Sequence, residues 1–384
     1  MRATVPLRRI ATMTYGDALA SDRRLDGEIP VMSSGGVSGS HVLANTQAPV
    51  IVVGRKGSHG SIWWSSRPSF VIDTAFYIDG RNTSAELRWL YYVLKTLNLD
   101  VLSNDVGVPG LGREVAYQAQ VPVEDLAEQR RIADFLDDRV LRIDQIITAR
   151  RQQSDRVHEL EQAELTHVLW SPGDELSALR RHGVSVTTGP FGTVFSAADY
   201  VDDGIPMVNP THIKRGAIIS DPSHSVSRDT QRRLARHILR TNDLVMSRKG
   251  DIGHTAKVRQ DQAGWICGSD SIAIHAEGSS IKPEFLDLFL KLTRARGQLI
   301  AHSNAATMPS LNEGNLLSLR VPFVNPREQE DRIAAGARIQ RAASAGVENL
   351  QRSAELLSDY KQALITAAVT GELDVTTAGS GIPG

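Results

Sequence analysis

The residues best suited to chemistry sit in two short basic loops. Gly54-Arg55-Lys56-Gly57-Ser58-His59-Gly60 follows the apolar run Val50-Ile51-Val52-Val53. Glycines lack a Cβ, so the main chain can lie close to a surface and turn its N–H groups toward phosphate. Arg55 and Lys56 can pair with phosphate oxygens, and an arginine can also hold guanine O6 and N7 with two hydrogen bonds. Ser58 and His59 are short polar groups suited to base edges or phosphates. A second loop, Ser247-Arg248-Lys249-Gly250 with Gly253 beyond it, offers Arg248, Lys249, Asp251 and His254. Either loop alone reads as well as a solvated turn; recurrence is what favours binding. Ser34, with Ser33 and Gly35, follows Ile29-Pro30-Val31-Met32, and Thr211, with Asn209 and His212, follows Ile205-Pro206-Met207-Val208. These are weaker candidates, since simple turn chemistry accounts for them. Arg232, Arg233, Arg236 and Arg240 have helical spacing, and such a helix could grip a phosphate strand or merely face solvent. Trp63 and Trp64 read as core and rim packing rather than base stacking.

No catalytic pattern accompanies these loops. A methyltransferase needs a Gly-rich cofactor loop and an Asn/Asp-Pro-Pro-aromatic tetrad; Asn209-Pro210-Thr211-His212 lacks the second proline and the aromatic residue. Gly54-Arg55-Lys56-Gly57-Ser58 lacks P-loop spacing. The 11 histidines contain no His-Glu-x-x-His pair, and 1 cysteine cannot build a zinc cluster. A Pro-Asp…Glu-x-Lys nuclease pattern is also missing. The expectation is a binding protein with no catalytic residues, no metal ligands and no cofactor of its own.

The elements that must hold these loops repeat along the chain. Strands at Val50–Val53, Ile62–Trp64 and Phe70–Ile72, the last two read as a pair, precede a helix near Ala85 to Leu102. A Gly/Pro stretch, Val106 to Gly112, leads to Val121-Pro122. The second half replays this order: Arg248-Lys249, a helix at Pro283–Ile300, Met308-Pro309-Ser310-Leu311 for Val108-Pro109-Gly110-Leu111, and Val321-Pro322. Several markers in one order indicate a duplication. After each copy comes a long run without helix breakers. From Leu126 to Trp170, apolar residues recur at Ile132, Leu136, Val140, Ile143, Ile147, Val157, Leu160 and Val168. From Glu328 to Thr370 the seam reads Ile333, Ala337, Gln340, Ser344, Val347, Leu350, Ala354, Leu357, Lys361, Leu364, Ala368. Steps of three and four make coiled-coil seams. A helix of such length spans roughly 65 Å at about 1.5 Å per residue, close to two B-DNA turns of about 34–36 Å. Two binding modules on such a spacer could read two short sites with an unread gap. An ordinary helical hairpin, or a spacer for protein-binding modules, fits the same pattern.

Bulk properties bound the rest. With 384 residues, 41% of them hydrophobic, the chain can form more than one core. The net charge of −1 argues for no polyanion by itself. Its distribution is uneven: residues 1–122 carry +2 and 171–325 carry +3, whereas the long helical runs, 123–170 and 326–384, carry −4 and −2. The globular parts are therefore where phosphate is tolerated. The lone Cys267 fits a reducing cytosol rather than a disulfide framework. No apolar run of about 18 residues is present, so no membrane span is expected.

At this point the chain resembles a known family, the DNA-specificity subunits of type I restriction-modification systems. The likeness rests on the duplicated globule and on Val121-Pro122…Glu128-Gln129-Arg130-Arg131-Ile132-Ala133 with its counterpart Val321-Pro322…Glu328-Gln329. It rests also on Leu364-Ile365-Thr366-Ala367-Ala368-Val369-Thr370-Gly371-Glu372-Leu373. It covers nearly the whole chain and is weakest inside the globules. The resemblance implies an α+β protein in which two similar mixed α/β target recognition domains are joined by a long antiparallel two-helix coiled coil. The boundaries expected are 1–122 and 171–325 for the recognition domains, 123–170 and 326–375 for the helices, and 376–384 for a flexible tail. It also implies a cytoplasmic, non-catalytic subunit that binds double-stranded DNA, each domain reading half of a split asymmetric site. Two modification subunits, adenine methyltransferases, would dock beside the helices, and in some systems restriction subunits join. S-adenosylmethionine, ATP and Mg would belong to those partners. The chain departs from the pattern where Glu330-Asp331 stands opposite Arg130-Arg131, which questions whether both helices present equal surfaces. A divergent methyltransferase or nuclease, or a coiled-coil adaptor, are the competing readings. S-adenosylmethionine binding by the isolated chain, or a salt-insensitive response to duplex DNA, would separate them.

Overall fold

The computed structural model describes residues 3–102, 110–214, 216–303 and 310–376. The Val108-Pro109 and Met308-Pro309 markers lie outside these residues, as does the tail from 377. The chain is α+β and divides into two compact units, Met1–Arg151 with Gln351–Gly384, and Gln152–Leu350.

The first unit starts with β1 (Thr4–Pro6), β2 (Thr14–Tyr15), β3 (Ile29–Ser33), β4 (Gly36–His41), β5 (Val50–Gly54), β6 (Ile62–Ser65), β7 (Phe70–Val71) and β8 (Ala75–Asp79). Helices α1 (Leu87–Thr96) and α2 (Arg113–Ala116) and strand β9 (Gln120–Pro122) follow. Strands β2-β8-β5-β6 form an antiparallel sheet, and β4-β3-β7 a second, in which β3 and β7 run parallel. Strand β5 is buried on both faces, which is why it reads as an unbroken apolar run. Ile51 and Val53 pack into the core that holds Trp89, Leu90 and Leu94 of α1, while Val50 and Val52 meet Met32 and Val71 of the second sheet. Burying each such side chain contributes about 1.5–3 kcal/mol. Ile62–Trp64 and Phe70–Val71 are strands but not partners: β6 pairs with β5, and β7 with β3. Strand β1 pairs with β9, Val5 opposite Val121.

The second unit repeats this plan. It contains β10 (Leu176–Ala178), β11 (Ser185–Thr188), β12 (Tyr200–Val201), β13 (Ile205–Val208), β14 (Ile213–Lys214), β15 (Ala217–Ile218), β16 (Ser225–Val226), β17 (Leu244–Ser247), β18 (Thr255–Lys257), β19 (Ile266–Cys267), β20 (Ser271–His275) and β21 (Arg320–Pro322). The sheet β11-β20-β17-β18 matches β2-β8-β5-β6, the parallel pair β13-β19 matches β3-β7, and β10-β21 matches β1-β9. Where one helix is expected over Pro283–Ile300, there are two, Pro283–Leu290 and Thr293–Ala301. The break at Leu292 has a polar cause: the Thr293 N–H and hydroxyl both donate to Gln162 Oε1, at 2.9 and 3.0 Å.

The two long helices, Leu126–Leu169 and Pro326–Thr370, are continuous. Asp125 and Asn325 cap them by accepting from the Glu128 and Glu328 N–H groups at 2.8 and 3.0 Å. In the first unit the helices meet through Ile132, Leu136, Ile143, Leu364, Ile365 and Ala368, with Lys361 paired to Asp144 at 2.6 Å. In the second they run antiparallel: a Cβ on Gly346 would lie 3.9 Å from Val157, and one on Gly336 would lie 3.5 Å from Leu165. The seam differs from expectation at two points. Leu160 is exposed while Leu165 and Leu169 are buried, and Ser344 is exposed while Ala343 is buried. With Gly336 and Ala343 in place of Ala337 and Ser344, the second seam alternates strictly in threes and fours, as antiparallel packing requires. Among the described residues, no helix is long and apolar enough to cross a membrane.

Candidate nucleic-acid interface

The sheet hairpins β5–β6 and β17–β18 carry the two basic loops at equivalent positions. In the first, Gly57 and Gly60 have φ of +70° and +75°, and a Cβ on Gly60 would strike the Asp100 main chain at 2.2 Å. The Arg55 and Lys56 N–H groups both donate to the Thr74 carbonyl, and the Arg55 carbonyl accepts from Leu111 N at 2.8 Å. The second loop repeats this docking, with Leu311 N donating to the Arg248 carbonyl at 2.9 Å and Gly250 at φ +70°.

The side chains differ in freedom. Lys56 and Ser58 are exposed, and Lys56 has no ion pair among the described residues, whereas Lys249 is paired with Asp270 at 2.9 Å. His59 is held by its ring nitrogens against the Gly57 and Asp100 carbonyls, at 3.2 and 3.0 Å, leaving little for a base. Ser34 is buried, and its carbonyl accepts from Ser61 Oγ and Trp63 Nε1. Trp63 packs against Gly36 and Trp64 against Tyr91 and Arg88. In the second unit, Thr211 shares an open cleft of about 710 Å³ with Lys214, Asp251 and His254, while Arg248 and Lys249 line a separate cleft of about 420 Å³ with Phe191 and Asp270. Asp251 pairs with both Arg296 and His254; desolvation alone would raise its carboxyl, but the His254 hydrogen bond and the Arg296 charge outweigh it and hold the pKa below the ordinary value. The four arginines do not share one helix. The α-helix stops at Arg233, which pairs with Asp199; Arg236 sits in a 3-10 turn and Arg240 beyond it.

Two groups at this surface have no local signature in the chain. Tyr15 lies between two guanidinium groups, with Arg55 5.0 Å and Arg113 4.9 Å from its ring centre. These residues are far apart in the chain and only the strand pairing unites them. The second is a cluster of His212, Asp221 and His224.

Comparison with known proteins bears on this geometry. Residues 191–336 match the family model described as the type I restriction modification DNA specificity domain. The chain is 21% identical over 349 residues to the type I restriction enzyme EcoBI specificity subunit of Escherichia coli, covering 84% of this chain and 73% of that one. A solved chain from a study of complex assembly and conformational transition of the type I R-M system shares the fold, with a TM-score of 0.71 at 14% identity over 97% and 98% of the two chains. The HsdS subunit of Thermoanaerobacter tengcongensis is 17% identical over 97% of each chain, at a TM-score of 0.47. Residues 191–336 carry a type I restriction modification DNA specificity domain.

The motifs shared with that family now have structural roles. The Glu-Gln pair at each helix start is a clamp. Buried Gln129 accepts from Glu86 N at 2.8 Å and donates to the Glu124 carbonyl; buried Gln329 accepts from Lys282 N at 2.7 Å and donates to the Ser280 and Val324 carbonyls. The departure at Glu330 also has a partner, Lys282, while Arg131 pairs with Glu128. The two copies diverge at one matched point. Tyr15 and Val53 both lie opposite Phe76, as Thr188 and Met246 lie opposite Ile272, so Tyr15 and Thr188 occupy one register position. Where Arg113 stacks on Tyr15, its counterpart Glu313 accepts from the Thr188 N–H and hydroxyl at 3.1 and 3.2 Å. One copy of the specificity subunit is cationic at this spot and the other acidic.

Proposed function

We propose that this specificity subunit reads a bipartite DNA site, each repeat contacting one half, with the loops Arg55–Ser61 and Arg248–His254 at the contact. One observation carries this: the same basic hairpin tip is built twice, docked by the same main-chain bonds. Arg55 and Lys56 in one repeat and Arg248 and Lys249 in the other supply phosphate or guanine contacts. Ser58, Asp251, His254 and Thr211 would touch base edges, and Tyr15 with Arg113 would extend the first surface. The long helices act as spacer and as the docking surface for two methyltransferase subunits, and restriction subunits complete the assembly in hosts that encode them. Specificity subunits are non-catalytic, so S-adenosylmethionine, ATP and Mg belong to the partners, in the cytoplasm.

The test is half-site selectivity measured with the methyltransferase subunits present. Arg55→Ala should relax or abolish reading of one half-site and Arg248→Ala the other, each by about 1–3 kcal/mol. Equal loss at both halves from either variant would show that the repeats are not independent readers.

A further inference from the structure

Three ligand-type side chains converge in the second unit although no sequence motif links them. Strand β13 ends at Val208, and Asn209–His212 forms a tight turn with Pro210. The turn Asp221–His224 enters β16, which pairs with β13, and Met207 N donates to the His224 carbonyl at 2.9 Å. That pairing brings the two turns together. One ligand atom from each of His212, Asp221 and His224 lies within 4.8 Å of the others, and the two imidazole centres are 5.3 Å apart.

His212 supplies the second observation. It is 6% exposed, and its Nδ1 sits 2.9 Å from the Met207 carbonyl oxygen. The Asn209 N–H also donates to Nδ1, at 3.2 Å. The main chain therefore occupies Nδ1 in either tautomer, and Nε2 makes no hydrogen bond to any described residue. In the tautomer that donates Nδ1–H to the Met207 carbonyl, Nε2 carries the lone pair. A histidine whose far N–H is fixed by a main-chain carbonyl is the arrangement that orients imidazole toward a metal. Asp221 and His224 are half-exposed and joined at 2.8 Å. Tetrahedral zinc, with bonds of about 2.0–2.2 Å, holds its donors roughly 3.3 Å apart. The half-exposed Asp221 and His224 side chains, now 2.8 Å apart, would re-space to meet that geometry.

We infer that His212, Asp221 and His224 bind a divalent transition metal, with zinc the best match and water in the fourth position. Two imidazoles and one carboxylate suit a borderline cation; magnesium and calcium call for an all-oxygen set. The metal would tie the Asp221–His224 turn to the turn bearing Thr211, which lines the cleft shared with Asp251 and His254. It would stiffen that wall without performing chemistry. The inference stands apart from DNA reading, because binding is measured on the chain alone.

The experiment uses tag-free full-length protein stripped by chelator. Zinc is titrated against a chromophoric chelator, and cobalt substitution reports coordination by its visible absorption. The wild type should take up one zinc per chain with micromolar or tighter affinity and raise its thermal midpoint. Asp221→Asn and His224→Ala, both on the exposed side, should fold as the wild type does by circular dichroism and bind at least tenfold more weakly. His254→Ala should bind as the wild type does. No zinc uptake by the wild type would overturn the inference, as would undiminished uptake in both Asp221→Asn and His224→Ala, which would mark adventitious surface binding.

Discussion

At the scale of single residues, the two basic loops share a backbone but not an electrostatic state. Lys56 is exposed without an ion pair among the described residues, while Lys249 already holds Asp270. A phosphate contact by Lys249 must replace that pair, so Lys56→Ala should weaken binding uniformly across sequences and lower the salt slope by about one, with a smaller effect for Lys249→Ala. Binding isotherms over a salt series check this. A second residue-level device anchors the start of the C-terminal helix. Arg332 donates to both oxygens of Asp174, at 2.7 and 2.8 Å, and both side chains are nearly buried. The hydrogen bonds from Arg332 hold the Asp174 carboxyl below its ordinary 3.8. A depressed carboxylate contributes stability above its unfolded pKa and loses it as pH falls through the native value. Wild-type stability should therefore decline on acidification below about pH 4. Asp174→Asn should cost about 1.5–3 kcal/mol at neutral pH and flatten that acid limb; denaturant titrations across pH decide it. Much at this scale was legible in the chain. Arg55, Lys56, Arg248 and Lys249 stood out through their repeated glycine setting. The surroundings of Ser34 and His59 left no local trace: the Ser34 carbonyl accepts from Ser61 and Trp63, and His59 reaches the Asp100 carbonyl, all from remote stretches. Tyr15, Arg113 and the His212 cluster were invisible for the same reason: each depends on strand pairing between remote stretches.

At the scale of elements, periodicity served well where burial was one-sided and failed where it was not. Both long helices were readable because their seams repeat over many turns. Leu160 and Ser344 lie off the packed seam and Leu165 and Ala343 on it, because the facing helix sets the phase. The expected helix at Pro283–Ile300 broke at Leu292 because Gln162, more than a hundred residues away, supplies a cap that no local pattern reveals. Glycines inside the second helix give a direct test of that packing. A Cβ on Gly346 would meet only Val157, at an ordinary 3.9 Å, whereas on Gly336 it would press Leu288 at 3.1 Å. Gly346→Ala should thus stabilise by up to about 1 kcal/mol, the helix-propensity difference. Gly336→Ala should gain less, because Leu288 must give way. Paired thermal melts would rank the two, and a larger gain at Gly336 would contradict the described packing.

At the scale of the whole molecule, the duplication is the feature most fully written in the chain, because the matching sheets, docking bonds and glutamine clamps all carry sequence markers. What no marker carries is how far the copies have diverged beside the basic loops, where Tyr15 and Arg113 in one correspond to Thr188 and Glu313 in the other. The spacer role leads to a geometric prediction. Adding one heptad between Ile147 and Val157, with a matching heptad between Val347 and Leu357 to keep the antiparallel seam in register, lengthens each helix by about 10 Å. The unread gap should widen by about three base pairs at about 3.4 Å each, with both half-sites unchanged; methylation mapping of a host carrying the variant reads this out. A final consequence follows from the short pairs β1–β9 and β10–β21. Each reading head begins and ends on two hydrogen-bonded neighbours, so it plugs into the helices through a single socket. Exchanging such a repeat whole, between its two paired strands, would leave the path of the rest of the chain unchanged.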